Sequence, residues 1–296
     1  MRALMAIIWL LHWLPLSVLG RMGEVLGSLL YIIMKPRRRI CLINLRLCFP
    51  ELDEAARVGI ARRHFQAYAR SALERGVLWW ASEARLKRLI KIDGDLPLDL
   101  LRSGPSIMLC PHFVCLEIPG IALVLNSELS VCTIYTQQQN KIVDDALLKG
   151  RSRFRPVTLL PRAKGIKPMI RAMREGKPFF MLPDMDFGLK DSEFVPFFGI
   201  PAATLTATAR LAAAAKANVI PVIARYLPNY QGWHVTFYPA WDDFPGPDVI
   251  EATRRVNAFI EAQIRETPAE YLWTHKRFKT RPPDMPDLYG NGKTDD

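Results

Sequence analysis

His112 and Glu117 stand five positions apart, just after a short apolar run, Ser106-Ile107-Met108-Leu109-Cys110, that Pro111 brings to a stop. An imidazole and a carboxylate at this spacing are the parts of a general base. The ring takes a proton on one nitrogen, and a carboxylate on the other fixes the tautomer and steadies the cation that forms. The apolar run reads as a buried strand. His112 then falls in the turn at the strand's C-terminal end, where open α/β sheets carry their sites. Glu117 falls in the first turn of the following helix. Such a pair also recurs by chance, and it is the position after a strand that gives it weight.

Other side chains could join this chemistry. Lys149, Arg151, Arg153, Arg155, Arg162 and Lys164 cluster after the next two strand-like runs. Arginine forks suit phosphate or carboxylate, and a solvated basic face is the alternative. Asp184 and Asp186, in Pro183-Asp184-Met185-Asp186-Phe187-Gly188, follow another apolar run. Two aspartates there could hold a divalent metal or build a turn. No further acidic cluster converges on them, and Cys110-x-His112-x2-Cys115 lacks a fourth ligand, so both are read as metal-free. The stretch from Phe194 to Pro201 is aromatic and broken by two prolines. It is expected to be irregular, either a core plug or the wall of a greasy groove. Aromatics and cations interleave from Tyr271 to Pro282, a pattern that fits phosphate contacts on nucleic acid or a headgroup site beside lipid. His275 in it is a possible second base.

The elements that must position these residues are legible in outline. Half of the 296 residues are hydrophobic, enough for one large domain or two small ones. The excess of 40 basic over 29 acidic residues, +11, favours anionic partners. Five cysteines form no paired framework in a chain this long and fit a reducing compartment. Ala3 to Gly20 carries no formal charge, Val25 to Met34 is again apolar, and Lys35, Arg37, Arg38 and Arg39 follow. Residues 1–34 are therefore expected to be a membrane anchor with its basic flank on the cytoplasmic side; a buried helical hairpin is the alternative. Residues 53–81 read as helix. Beyond 104, strand-like runs (106–110, 129–135, 157–160, 178–182, 218–226, 233–238) alternate with helix-like runs (116–126, 141–150, 165–175, 203–216, 249–265). That predicts an α/β domain over 35–290, with a mixed, mainly parallel central sheet flanked by helices. The mixing would come from a hairpin at Gln231-Gly232, and 291–296 would be a loose tail.

Taken together these motifs resemble the late lipid A acyltransferases of Gram-negative bacteria, the lauroyl/myristoyl transferase family. The resemblance covers nearly the whole chain. It rests on Asn44-Leu45-Arg46-Leu47-Cys48-Phe49-Pro50, on His112 through Glu117, and on Tyr135, Asn140, Gly150, Arg151, Arg153, Arg162 and Gly165. It continues through Pro183 to Gly188, Phe194 to Gly199, and Trp273-x-His275-x-Arg277-Phe278-Lys279-Thr280-Arg281-Pro282. Two places depart from the family pattern: Thr136-Gln137 where Arg-Pro is usual, and Met185 between the aspartates.

The resemblance implies a glycerol-phosphate acyltransferase-like fold on the cytoplasmic face of the bacterial inner membrane. It implies transfer of an acyl group from acyl carrier protein, as co-substrate, to a hydroxyl of a hydroxyacyl chain on an anionic lipid A precursor. No cofactor, metal or nucleic acid is expected. His112 would be the base and Glu117 would orient it. Asn140, Arg151, Arg153, Arg162 and Arg277 would contact substrate, with Asp184 and Asp186 bracing the cations. Phe194, Phe197 and Phe198 would line the acyl path. Cys115 as a nucleophile activated by His112 is a rival within the site. A lysophospholipid or other glycolipid acceptor, or a non-enzymatic binder of anionic lipid or nucleic acid, are the other readings.

Overall fold

The computed structural model describes residues 2–161 and 165–290; Arg162, Lys164 and the expected tail at 291–296 lie outside the described residues. Four helices come first: α1 (Arg2–Leu11), α2 (Leu16–Ile33), α3 (Lys35–Cys48) and α4 (Glu54–Trp80). Asp53 starts α4 by accepting the Ala56 N–H. Then follow α5 (Glu83–Leu89), β1 (Ile90–Asp93), α6 (Leu98–Ser103), β2 (Ser106–Leu109), α7 (Ile118–Leu125), β3 (Val131–Tyr135), α8 (Lys141–Arg151), β4 (Val157–Pro161), α9 (Lys167–Arg174) and β5 (Phe179–Met181). A hairpin, β6 (Ser192–Phe197) and β7 (Ile200–Leu205), precedes α10 (Ala207–Ala215), β8 (Asn218–Tyr226), β9 (Trp233–Phe237) and α11 (Val249–Glu266).

The sheet runs β1-β9-β8-β2-β5-β3-β4. Every neighbouring pair is parallel except β8 and β9, so the sheet is mixed and mainly parallel. Gly232 ends the β8–β9 connection, which runs from Leu227 through a 3-10 turn at Pro228–Tyr230, and at φ 123° it is pressed against the Leu89 carbonyl, where no Cβ would fit. β2 lies mid-sheet and is buried throughout, which is why it reads as a continuous apolar run. Alternation along the strands builds two cores. Ile107, Leu109, Phe179 and Met181 face one, and Met108, Cys110 and Phe180 face the other. The five cysteines are unpaired and buried.

The Phe194–Pro201 stretch is regular, contrary to expectation. Phe198 and Gly199 both take positive φ, 50° and 76°, making a two-residue turn between paired Phe197 and Ile200. The next pair outward is Pro196 with Pro201. In such a hairpin that pair exchanges no N–H bonds, so both prolines fit the ladder without leaving a donor missing.

Helix α2 buries Leu16, Leu19, Gly20, Gly23, Gly27 and Tyr31. Gly23 and Gly27 ride on the α4 backbone; a Cβ on Gly23 would come 2.5 Å from the Arg70 Cα, and one on Gly27 would strike Gln66. On the opposite side Val18, Met22, Val25, Leu29, Ile32 and Ile33 are exposed, with Arg21 and Ser28 exposed beside them, and Leu4, Ile7, Leu10 and Trp13 are exposed before it. By length and composition α2 could cross a membrane.

Adding a methyl at Gly23 or Gly27 forces α2 away from α4. Gly23→Ala and Gly27→Ala should each cost about 1–3 kcal/mol of stability, seen as a lowered urea midpoint. Val25→Ala on the open face should stay within about 0.5 kcal/mol of the parent.

Candidate active site

Strands β2 and β5 are parallel neighbours, and the ladder runs one step further, from the Cys110 N–H to the Met181 carbonyl at 2.9 Å. The segments that leave their C-terminal ends therefore emerge side by side. The first carries His112 and the second Asp184. Asp184 is wholly buried and takes two bonds from one residue: its Oδ1 lies 2.7 Å from His112 Nδ1, and its Oδ2 accepts the His112 backbone N–H at 2.9 Å. Burial pulls the Asp184 carboxyl upward, but His112, through charge and both bonds, outweighs it and holds the acid at about 2. An ionised carboxylate only accepts, so Nδ1 carries a proton, and the neutral form of the ring has its lone pair on Nε2. The side chain of His112 is 17% exposed and lines a cavity of about 460 Å³.

The expected partner, Glu117, is engaged elsewhere. It stands just before α7 and forms a bidentate pair with Arg151 at the end of α8, the Arg151 Nε donating at 3.0 Å and Nη2 making the second bond. Burial works to raise Glu117, and Arg151 overrides it, leaving the carboxyl below its usual range. A fork-on-fork pair in a buried setting outcompetes a single bond to an imidazole whose other carboxylate is already in place. Glu117 and Arg151 border a second cavity, about 140 Å³, between α7 and the sheet. The two cavities lie on opposite faces of the sheet and share Thr133, Ile134, Phe180 and Leu182.

The C-terminal block holds the site from outside. The Leu272 N–H donates to the His112 carbonyl at 3.0 Å, and the Val114 N–H to that of Glu270 at 2.8 Å. Asp186 accepts the backbone N–H of Thr280 at 2.7 Å and its hydroxyl at 2.8 Å. Asn44, wholly buried in α3, donates to the carbonyls of Trp273 and His275 at 2.8 Å each and accepts from the Tyr289 hydroxyl. The motif near the start thus clasps the motif near the end. Leu272 and Thr280 act through the backbone, which leaves little trace in residue type.

The expected substrate-binding cluster disperses. Arg153 donates to the carbonyls of Leu78 and Ala81, capping the end of α4. Arg155 pairs with Glu128. Arg277 is buried, bound to the Ala203 carbonyl and the Thr204 hydroxyl. Asn140 caps α8, accepting from Ile142 and Val143. Asp184 and Asp186 brace His112 and Thr280 rather than the cations. Phe194, Phe197 and Phe198 line neither cavity; Phe197 is core, stacked among Phe198, Tyr271 and Phe278. The hairpin that carries them packs on α11. Cys115 is sealed between α4 and Tyr226, its thiol pushed far up by burial, which suits packing better than nucleophilic attack. His275 is buried with Nδ1 on the Leu272 carbonyl, and burial lowers it to about 4. Among the described residues no group of three or more His, Cys, Asp or Glu is placed to hold a metal.

Comparison with known proteins bears on the chemistry. Residues 2–280 match the model of the bacterial lipid A biosynthesis acyltransferase family. The lipid A biosynthesis lauroyltransferase of Escherichia coli is 32% identical, over 96% of this chain and 92% of that protein. The lipid A biosynthesis myristoyltransferase of the same organism is 31% identical, over 90% and 81%. The crystal structure of a 1-acyl-sn-glycerophosphate acyltransferase from Thermotoga maritima aligns with a TM-score of 0.40 at 12% identity, over 83% of this chain and 97% of that one, too remote a likeness to add to this.

Four buried groups around the site set a pH dependence. Burial lowers His64 and His275 to about 4 and raises Glu74 and Glu270 to about 7. As pH falls from about 6.5 to 4.5, the unfolded chain takes protons on the two histidines, which destabilises the fold; the native chain holds protons on the two carboxyls, which stabilises it. The numbers match, so these groups leave stability nearly flat in that window. Glu270→Gln removes one native proton and keeps the acceptor for the Tyr226 N–H. Stability of that variant should fall with pH between 6.5 and 4.5 by up to about 1.4 kcal/mol per unit, read by denaturant unfolding at three pH values.

Proposed function

The chain belongs to the bacterial lipid A biosynthesis acyltransferases, and from that premise we propose that it transfers a fatty acyl group from an acyl carrier protein thioester to a hydroxyl on a hydroxyacyl chain of a lipid A precursor. The observation that carries the mechanism is the His112–Asp184 pair at the wall of the larger cavity. The acceptor hydroxyl attacks the thioester carbonyl while Nε2 of His112 takes its proton. Asp184 accepts the Nδ1–H and stabilises the imidazolium. The tetrahedral intermediate collapses, the carbon–sulfur bond breaks, and His112 returns the proton to the departing thiolate. Arg151, held by Glu117 at the smaller cavity, is the cation we assign to the developing oxyanion; its Nη1 makes none of the described bonds to Glu117. General-base action supplies roughly 10²–10⁴-fold, and positioning with oxyanion stabilisation supplies the rest.

The surface suits both substrates. A charge of +11 favours an acidic carrier and a phosphorylated lipid. Arg210 lines the His112 cavity, is half-exposed, and is tied only loosely to exposed Asp191 at 3.3 Å, so a phosphate can displace that partner. The open apolar faces of α1 and α2 would meet lipid, with Lys35 to Arg39 at the headgroups of an anionic cytoplasmic leaflet.

The test is a transfer assay with a tetra-acylated phosphorylated lipid A precursor and loaded acyl carrier protein, read as the mass gain of one acyl group. His112→Ala should abolish the gain in folded protein. Asp184→Asn, which takes away the negative charge on the ring, should lower kcat by about 10²–10⁴-fold. Glu117→Gln should lower kcat with no displacement of the acidic limb of the pH–rate profile, because Glu117 does not hold the imidazole. Normal turnover in Asp184→Asn, with a shifted acidic limb in Glu117→Gln, would return the orienting role to Glu117.

A further inference from the structure

The C-terminal block places a buried hydroxyl beside the catalytic pair. Glu270, Tyr271 and Leu272 run antiparallel to the catalytic turn. Tyr271 bridges Phe113, and the Leu272 and Val114 N–H groups bond to the His112 and Glu270 carbonyls. The turn and this segment therefore hold one register, and Tyr271 is fixed opposite the residue that follows the base. Its ring is wedged among Phe113, Phe197 and Trp273, at centroid distances of 5.6, 6.2 and 5.0 Å. The side chain is wholly buried, and its hydroxyl makes none of the described hydrogen bonds. A buried donor left unpaired is costly, so the group it faces matters.

That group is the Asp184 carboxylate. Burial raises the Tyr271 hydroxyl far above the usual phenol range, and Asp184 adds to this by its charge and as a hydrogen-bond partner. Tyr271 thus keeps its proton and is a donor at every working pH. Asp184 has room for it: an ionised carboxylate offers about four acceptor positions, and His112 fills two. The other titratable and charged groups gathered there are otherwise engaged. His275 is neutral with its Nδ1 on the Leu272 carbonyl, so its Nε2 can only accept. Arg277 is bound through Nη1 and Nη2 to Ala203 and Thr204. The Cys48 and Cys110 thiols, from α3 and the end of β2, are raised by burial and stay neutral. Asp191 and Arg210 pair with each other at the His112 cavity.

We propose that Tyr271 is a positioning residue of the base: its hydroxyl donates to Asp184 and so moderates the negative charge that the His112 ring meets. The proposal rests on the acyltransfer reading above. A carboxylate with His112 as its only partner binds an imidazolium tightly and holds the ring protonated. A protonated ring cannot take the proton of the acceptor hydroxyl. A third donor to the carboxylate weakens that hold. It also ties Asp184 to the C-terminal block, which already holds the turn.

Tyr271→Phe removes the hydroxyl and keeps the ring in its packing. The first arm needs no turnover. The ring C–H resonances of the five histidines are followed by NMR against pH in detergent-solubilised protein, with His112→Ala assigning the His112 signal. Tyr271→Phe should raise the His112 midpoint by about 0.5–1 unit. In an Asp184→Asn background the same change should move it by less than about 0.2 unit, because the effect travels through the carboxylate. The second arm is the transfer assay. The acidic limb of kcat/KM should move up with the midpoint, while kcat at the optimum falls by less than about tenfold, since the base and its carboxylate remain. An unmoved His112 midpoint in folded Tyr271→Phe overturns the proposal. So does an equal shift in the Asp184→Asn background, or a shift confined to His275, which would assign the hydroxyl to that ring's Nε2. If the wild type transfers nothing from any donor, the acyltransfer reading falls, and the titration alone still decides whether Tyr271 acts on the pair.

Discussion

The architecture depends on a pairing between two loops that leave adjacent parallel strands. Asp184 binds both the ring and the backbone of His112, so a single buried carboxylate fixes the position of the turn and the orientation of its imidazole. Such a charge is tolerable inside the protein only because each oxygen has a donor. The rest of the site follows from keeping those two loops in register. The β2–β5 ladder aligns their origins. The C-terminal block ties the first loop at Leu272 and the second, through Asp186, at Thr280. Asn44 in turn fixes that block from the N-terminal side. A site assembled from residues 44 to 289 is thus held by local bonds at each step.

The sheet separates two apolar cavities that converge at its C-terminal edge. Each face of the central sheet has its own core, and each core leaves space at its end. Helix α4 serves both sides. Its middle seats α2, its last turn places Trp79 at the smaller cavity, and it buries an Arg70–Glu74 pair whose guanidinium carbon lies 3.7 Å from the centre of the Tyr226 ring.

The order of strands and helices from 106 onward was legible because burial on both faces leaves continuous apolar runs and the helices between them are amphipathic. The β6–β7 hairpin was hidden because two prolines argue against a strand, and only the register places them where no N–H is needed. His112 was legible from its position after a strand. The choice between Glu117 and Asp184 was not, since five residues of separation look nearer than seventy-two, while sheet order brings the distant carboxylate next door. Arg153, Arg277 and Asn140 carried the expected polar chemistry but spend it on carbonyls and helix ends. The phenylalanines near 197 look like a greasy groove in composition and are core by topology. That Val131 and Val157 meet at the smaller cavity could not be read at all, because they come together only through the β3–β4 register.

The five buried cysteines have a practical consequence. Desolvation raises every one of these thiols, Cys132 to about 12 and the others further, so the thiolate is a negligible fraction of each at neutral pH. The native surface therefore offers no competing sulfur to an alkylating reagent. A cysteine placed at an exposed position, such as Val25 on the open face of α2, would be the single reactive thiol without removal of the native ones. A fluorophore or spin label there would report the polarity of its surroundings and the depth of that helix, on the unaltered scaffold.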